Sequence, residues 1–238
     1  MFMQNIFVNI PGGIIRFLIV PALFLCCGCG NGELPIREIQ ASLRNVPEYA
    51  ILLEDMKEEG NFFKDYYHKY RVVRGEAARQ TDWLAVPDDY YRANAGFLGM
   101  ALLSRKSGEM ISSAVPPGYL YVGDNRYGQW QADRSGRTFW AFNRGRPLFD
   151  ELDIDLKLPV YRTDYNTYRK SASRRVPYYG PKHEYGTSGT VTQKKKPTFY
   201  QRRMAKAQTA NASFGEKVSK RIGRTRTNFR GRSGGRGK

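Results

Sequence analysis

Few residues of this chain could carry chemistry, and the most concentrated of them are three cysteines. Cys26, Cys27 and Cys29 lie within four residues of one another, and no cysteine follows them in the 238-residue chain. A cysteine thiolate can act as a nucleophile, bind a metal, form a disulfide or carry a lipid. Because all three are neighbours, no disulfide can cross-link the rest of the chain. Their chemistry is therefore local to the N-terminal segment.

The sequence around these cysteines has the order of a signal peptide. An uncharged run of eleven residues, FLIVPALFLCC, follows Arg16 and ends at Cys27, before a glycine-rich stretch. A positive flank, a short apolar run and small residues are typical of a secretory leader. A membrane-spanning helix needs about 20 apolar residues, and Pro21 would interrupt this one. We therefore predict a leader over residues 1–28 that is cleaved before Cys29.

The Gly28-Cys29 pair resembles the bacterial lipobox, in which a small residue precedes a cysteine that receives diacylglycerol and becomes the new N-terminus. Cys26 departs from this motif, which usually has leucine there, and the resemblance covers about the first thirty residues. It implies a lipid on Cys29, a linker over 29–35 and a place in the cell envelope, at the outer membrane if the cell is Gram-negative. More than one acyl chain would give stable anchoring. An ordinary secretory signal, an uncleaved anchor and a cytoplasmic chain remain alternatives.

Histidines and carboxylates in the rest of the chain form no catalytic pattern. His68 is the only histidine before residue 165, and no Gly-x-Ser-x-Gly sequence occurs. Glu54 and Asp55 are adjacent in a predicted strand, so they should point to opposite faces and share no site. Asp88 and Asp89 fit the N-terminus of a helix. We therefore expect no enzyme activity and no cofactor.

A calcium-binding loop is also disfavoured. Asp150, Asp153 and Asp155 alternate as calcium ligands do, but the central glycine and closing glutamate of an EF-hand loop are absent. The leucines and isoleucine between them predict a half-buried strand over 152–158 instead. We therefore predict no metal site.

Periodicity predicts a single α+β domain over residues 36–165. Apolar spacing favours a helix over 36–46, and PDDYYRANAG at 87–96 favours one or two helical turns. Strands are predicted in three hairpins. These hairpins pair 49–56 with 62–73, 97–105 with 109–115, and 127–132 with 138–142. The expected fold is a small antiparallel sheet with one or two short helices.

Trp130 and Trp140 belong to an aromatic-rich segment, residues 118–142. Aromatic rings on an exposed sheet can stack on sugars, which would make the domain a glycan-binding protein. Cross-strand aromatic pairs more often form the core of a hairpin. Both interpretations are kept, with core packing favoured.

The positive charge of the chain lies almost wholly in its C-terminal third. Residues 1–165 carry 19 Lys and Arg against 20 Asp and Glu, whereas residues 166–238 carry 20 against 2. Aliphatic residues are scarce after about Tyr165, so this segment should bury too little apolar surface to offset its ordering entropy. We predict a disordered basic tail over 166–238, with a transient helix near 199–208.

Ten cations of this tail are predicted to bind anions. They are Lys194, Lys195, Lys196, Arg202, Arg203, Arg224, Arg226, Arg230, Arg232 and Arg236. Arginine mixed with glycine and aromatics is typical of RNA-binding tails. On an exported protein the same residues would meet lipopolysaccharide, anionic phospholipid, teichoic acid or extracellular DNA. A solvated spacer without a partner is the remaining alternative.

Together these features predict a non-catalytic, lipid-anchored protein of the cell envelope. The order of lipobox, aromatic body and Arg/Gly/Ser-rich tail resembles bacterial envelope lipoproteins, a resemblance that implies no activity. The expected partners are the membrane, through the N-terminal lipid, and anionic polymers or lipid headgroups, through the tail. Two alternatives stay open: a nucleic-acid-binding protein with an RGG-like tail, and a glycan-binding domain that uses Trp130 and Trp140.

Overall fold

A computed structural model of the chain describes residues 33–60, 62–152, 154–209 and residue 219. The helices are α1 (Pro35–Ser42), α2 (Asp88–Asn94), α3 (Pro147–Glu151), α4 (Arg162–Ser173), α5 (Thr190–Lys195) and α6 (197–209), with a 3-10 helix at Pro117–Tyr121. The strands are β1 (Tyr49–Glu59), β2 (Asp65–Arg74), β3 (Ala77–Gln80), β4 (Leu84–Val86), β5 (Ala101–Lys106), β6 (Glu109–Ile111), β7 (Gly128–Ala132), β8 (Thr138–Phe142) and β9 (Val160–Tyr161). The predicted leader and Cys29 lie outside the described residues.

All strands pair in antiparallel fashion and form two sheets. The larger sheet has the order β3-β2-β1-β5-β6, with β4 also paired to β2, and the smaller has the order β7-β8-β9. The three predicted hairpins are present as β1–β2, β5–β6 and β7–β8. The predicted α+β class with an antiparallel sheet is therefore confirmed.

Strand β1 forms the centre of the fold because both of its faces are buried. Ala50 and Leu52 belong to one apolar cluster, whereas Tyr49, Ile51 and Leu53 belong to another. Successive residues of a strand point to opposite faces, so the run YAILL contributes side chains to both apolar clusters. The larger sheet is therefore packed on both sides.

Different elements cover the two faces of this sheet. The smaller sheet, the 3-10 helix, α3 and α4 contribute to the first cluster through residues such as Tyr119, Trp140 and Phe149. Residues of α1 and α6, including Ile36 and Phe199, contribute to the second. The fold is therefore a central sheet between two apolar layers.

Helix α1 is present but shorter than predicted. Proline lies in its first turn, where a missing backbone N–H leaves no hydrogen bond unmade. The helix ends at Ser42, four residues before the predicted end at Val46. The backbone N–H of Val46 instead donates to the Leu43 carbonyl oxygen at 2.9 Å, which forms a turn. Pro47 disfavours helical geometry in Val46, so the helix does not reach its predicted end.

The predicted strand over 152–158 is wrong. Leu152 follows the end of α3 and is buried, whereas Leu156 and Leu158 are each 40% exposed. The backbone N–H of Leu158 donates to the Asp155 carbonyl at 3.0 Å, which is a turn and not a ladder bond. Alternating leucines specify a strand only where a partner strand is available, and here pairing with β8 begins at Val160.

The predicted domain boundary after residue 165 is also corrected, because residues 166–209 fold onto the body. Tyr168 and Tyr178 are buried in the first cluster and Phe199 in the second. The Thr187 hydroxyl donates to the Ala95 carbonyl at 2.6 Å and accepts from the Leu98 amide at 3.2 Å. Aromatic rings bury large areas, so they replace the aliphatic residues that this segment lacks.

His68 is packed in a ring of tyrosines beneath α2. It is 0% exposed, and its Nδ1 lies 3.1 Å from the Tyr70 hydroxyl. The Tyr90 and Tyr91 rings lie 5.6 Å and 5.4 Å from the imidazole, between ring centroids. Burial disfavours the charged form and lowers the pKa of His68 to about 4.

We therefore expect the free energy of unfolding to fall as the pH is lowered below about 6.5. In the unfolded chain His68 regains an ordinary pKa of about 6.5. Between that pH and about 4 the unfolded state binds more protons than the folded state, so acid favours unfolding, by up to about 3 kcal/mol. Urea unfolding between pH 7 and pH 5 measures this slope.

His68→Phe should flatten the slope whatever it does to the stability at pH 7. His183→Gln, at the exposed second histidine, is the matched control. An unchanged slope in the His68 variant would contradict the assignment.

Candidate functional site

An open cleft of about 1100 Å³ lies where the start of β8, the β9–α4 junction and the segment 181–195 meet. Its apolar lining comes from Leu158, Pro159, Tyr161, Pro181 and Val191. Its cations are Arg137, Arg162, Lys182, Lys194 and Lys195. Its carboxylates are Asp155, Asp164 and Glu184. The cleft thus combines an excess of positive charge with apolar contact surface.

Arg162, the first residue of α4, is held at the cleft by an aromatic ring. Its guanidinium lies 3.8 Å from the centroid of the Trp130 ring, a cation–π distance. Trp130 is fixed in turn because it pairs with Trp140 across β7 and β8. No ion pair joins Arg162 to a carboxylate of the residues that the structure describes. Stacking therefore positions this charge without neutralising it.

Lys182 lies in a tight turn in which a neighbouring carboxylate accepts a backbone hydrogen bond. Gly180 has a φ of +89°, and a Cβ there would come within 2.7 Å of the Glu184 carboxylate. That carboxylate accepts a hydrogen bond from the backbone N–H of Lys182 at 2.8 Å. Glu184 therefore closes the turn with its side chain. In the described part of the chain, no carboxylate lies within ion-pair distance of the Lys182 ammonium.

Lys194 lies in the last turn of α5 and is exposed at the edge of the cleft. The helix is fixed to the same turn, because the Val191 amide donates to the Glu184 carbonyl at 2.9 Å. No described carboxylate pairs with Lys194. Arg162, Lys182 and Lys194 together form what we call the cationic rim.

Arg137 serves the structure of the cleft wall. It pairs with Asp133 at 2.9 Å and donates to the Tyr161 hydroxyl at 2.9 Å. Its guanidinium also lies 4.5 Å from the centroid of the Tyr161 ring. Arg137 therefore ties β8 to β9, and its charge is already compensated.

The charged side chains of the cleft are five cations and the three carboxylates Asp155, Asp164 and Glu184, a set that can bind charged ligands. Its lining contains no histidine or cysteine. Across the described residues, no group of three His, Cys, Asp or Glu side chains could hold a metal ion. The arrangement therefore fits recognition of an anion that also presents apolar or sugar surface.

Some of the predicted anion-binding residues line the cleft or are exposed, some are ion-paired, and some lie outside the described residues. Lys194 and Lys195 line the cleft, and Arg203 is exposed on α6. Lys196 and Arg202 instead form ion pairs with carboxylates of β1. Five predicted arginines lie outside the described residues: Arg224, Arg226, Arg230, Arg232 and Arg236.

Residues 196–209, which we call the C-terminal strap, lie along an acidic row on β1. The ion pairs are Lys196–Glu54 at 2.5 Å, Arg202–Asp55 at 2.6 Å and Lys206–Glu58 at 2.7 Å. The Lys206 ammonium lowers the pKa of the Glu58 carboxyl by a hydrogen bond and by its charge. Phe199 anchors the strap by burying its ring in the second apolar cluster.

A β-bulge explains why two adjacent acids both face the strap. The register of β1 against β2 shifts between Leu53 and Asp55, which leaves Glu54 without a partner residue. A bulge re-aims side chains, so Glu54 and Asp55 line one small cavity of about 190 Å³. The expectation that these carboxylates share no site is therefore wrong. The cations at their site are Lys196 and Arg202 of the strap and Arg71 of β2.

Trp130 and Trp140 do not form an open sugar-binding platform. Trp140 is 2% exposed and packs in the first cluster. Trp130 is half-buried against Trp140, with ring centroids 5.1 Å apart and tilted edge to face, and Arg162 covers it. Core packing accounts for both rings, and Trp130 contributes to the cleft only through Arg162.

Sequence reasoning did not single out Arg162 or Lys182. Arg162 gains its role from Trp130, which lies 32 residues earlier in the chain. The signal in the sequence that could have pointed to Arg162 is a tryptophan-containing hairpin together with an arginine at the start of a later helix. The signal for Lys182 was the Gly180-to-Glu184 turn.

No protein-family model matches the chain, and neither a curated protein nor a solved structure matches it. Within the part of the chain that the structure describes, no helix is both long and apolar enough to cross a membrane.

Proposed function

We propose that this protein is a non-catalytic lipoprotein of the cell envelope that binds anionic polymers or lipid headgroups. The observation that carries the proposal is the cationic rim, where Arg162, Lys182 and Lys194 surround an open cleft without ion-pair partners among the described carboxylates. Charges held in place but not neutralised are suited to binding phosphate or carboxylate groups. The apolar lining adds contact surface for the rest of the ligand.

The sequence beyond the strap supports the same function. Residues 210–238 carry nine Lys and Arg and one Glu. Each cation near an anionic membrane contributes about 1 kcal/mol at ordinary salt, within a Debye length of about 8–10 Å. The cleft and this basic segment therefore favour the same class of partner.

The membrane anchor is proposed at Cys29, from the lipobox-like sequence. The full chain, expressed in bacterial cells and extracted from membranes with detergent, should have an intact mass that begins at Cys29 and includes acyl chains. Cys29→Ser should abolish this processing, whereas Cys26→Ser and Cys27→Ser should preserve it. An intact Met1 would contradict the anchor and would favour the nucleic-acid-binding alternative.

A further inference from the structure

Two phenylalanines are almost completely exposed at the tip of the β1–β2 hairpin. Phe62 is 98% exposed and Phe63 is 91% exposed. They belong to what we call the hairpin tip, which comprises the described residues Gly60, Phe62, Phe63 and Lys64. Exposed apolar residues are ordinary when single, but two adjacent rings on a protruding turn indicate a contact surface.

The conformation that exposes these rings depends on a glycine. Gly60 has a φ of +87°, and a Cβ there would lie 2.0 Å from the Phe63 carbonyl oxygen. Below the tip, Lys57 pairs with Glu59 at 2.6 Å and Lys64 pairs with Glu58 at 3.0 Å. The Lys64–Glu58 pair links the two sides of the hairpin beneath the rings, whereas the Lys57–Glu59 pair lies within β1, and both acids are compensated.

Helix α6 runs toward the same end of β1. The three ion pairs between the strap and β1 occur in the same order along both elements, so α6 runs in the direction of β1. Lys206 reaches Glu58, and Thr209 lies three residues further along the helix, about 4.5 Å along its axis. Thr209 is the last described residue of this helix, and the segment that follows it in the sequence, residues 210–238, contains nine cations.

We propose that the hairpin tip inserts Phe62 and Phe63 into the interfacial layer of an anionic phospholipid bilayer. Apolar rings at the acyl boundary and cations at the headgroups are the two contributions that hold proteins on such surfaces. A narrow convex turn buries little area against a rigid protein, but it can enter a fluid interface. This inference rests on the proposed function and identifies its partner as the lipid headgroup.

A nitroxide label at position 63 tests the insertion in the chain that starts at Gly30, which lacks the apolar leader. This chain contains no cysteine, so Phe63→Cys is its only labelling site. The probe is a vesicle of equal parts phosphatidylcholine and phosphatidylglycerol. Accessibility of the label to a water-soluble nickel complex should fall at least about threefold when vesicles are added.

The matched control is the same label at Ser135, which is exposed at the β7–β8 turn and should stay accessible. Adding Phe62→Ser to the chain labelled at 63 should restore most of the accessibility. Equal accessibility at 63 and 135, on a chain that the vesicles retain, would overturn the insertion and leave the proposed function standing. Failure of the vesicles to retain the chain would count against both. Protection of position 63 without vesicles, rising with protein concentration, would overturn the proposal in favour of self-association.

Discussion

A chain that ends after residue 165 should fail to show a cooperative unfolding transition, whereas a chain that ends after residue 209 should keep the transition of the full chain. The shorter chain loses Tyr168, Tyr178 and Phe199 from the two cores. Removing one buried aromatic ring costs about 3–5 kcal/mol, and the whole stability of a domain is about 5–15 kcal/mol. Near-ultraviolet circular dichroism during urea unfolding measures the difference.

Point substitutions in α6 make this expectation quantitative. Phe199→Ala should lower the free energy of unfolding by about 3 kcal/mol, because its ring is buried in the second cluster. Met204→Ala is the matched control on the same helix, since Met204 is 63% exposed, and it should change stability by less than about 0.5 kcal/mol. A normal transition in the chain that ends at 165 would contradict a fold that extends to residue 209.

The local sequence pattern was sufficient to predict the hairpins of the central sheet. The run YAILL is apolar throughout, and Ser107 and Gly108 provide the turn between β5 and β6. These signals lie within a few residues of the elements they specify, so sequence alone predicted the antiparallel hairpins. Strands β3, β4 and β9 were missed because each is only two to four residues long and depends on a neighbour for its pairing.

The C-terminal third could not be predicted by the same reasoning. Its composition resembles that of a solvated tail. Its described residues are ordered by distant parts of the chain, namely the two apolar clusters that bury its aromatic rings and the acidic row on β1, more than 130 residues away in the sequence. The bulge at Glu54 that aims this row has no signature in the sequence. Lys196 and Arg202 therefore looked like free cations, although the fold pairs them with carboxylates.

Charge reversal in the cleft should cause the largest loss of binding. Lys182→Glu with Lys194→Glu changes the charge of the cationic rim by four units, at residues that are exposed and pair with no described carboxylate. Affinity for an anionic polymer should fall at least about 30-fold, since the loss of two cations that contribute about 1 kcal/mol each costs about 2 kcal/mol. The matched control is Lys170→Glu with Arg79→Glu, an equal charge change at exposed residues that do not line the cleft.

The most direct test of cleft binding is the affinity of these two variants for long-chain inorganic polyphosphate at one fixed salt concentration. Both variants are made in the chain that ends after residue 209, so that the nine cations of residues 210–238 do not mask the cleft. The cleft variant should lose at least about 30-fold in affinity and the control less than about threefold. Equal losses in the two variants would show that net charge alone governs binding, and would contradict a binding site at the cationic rim.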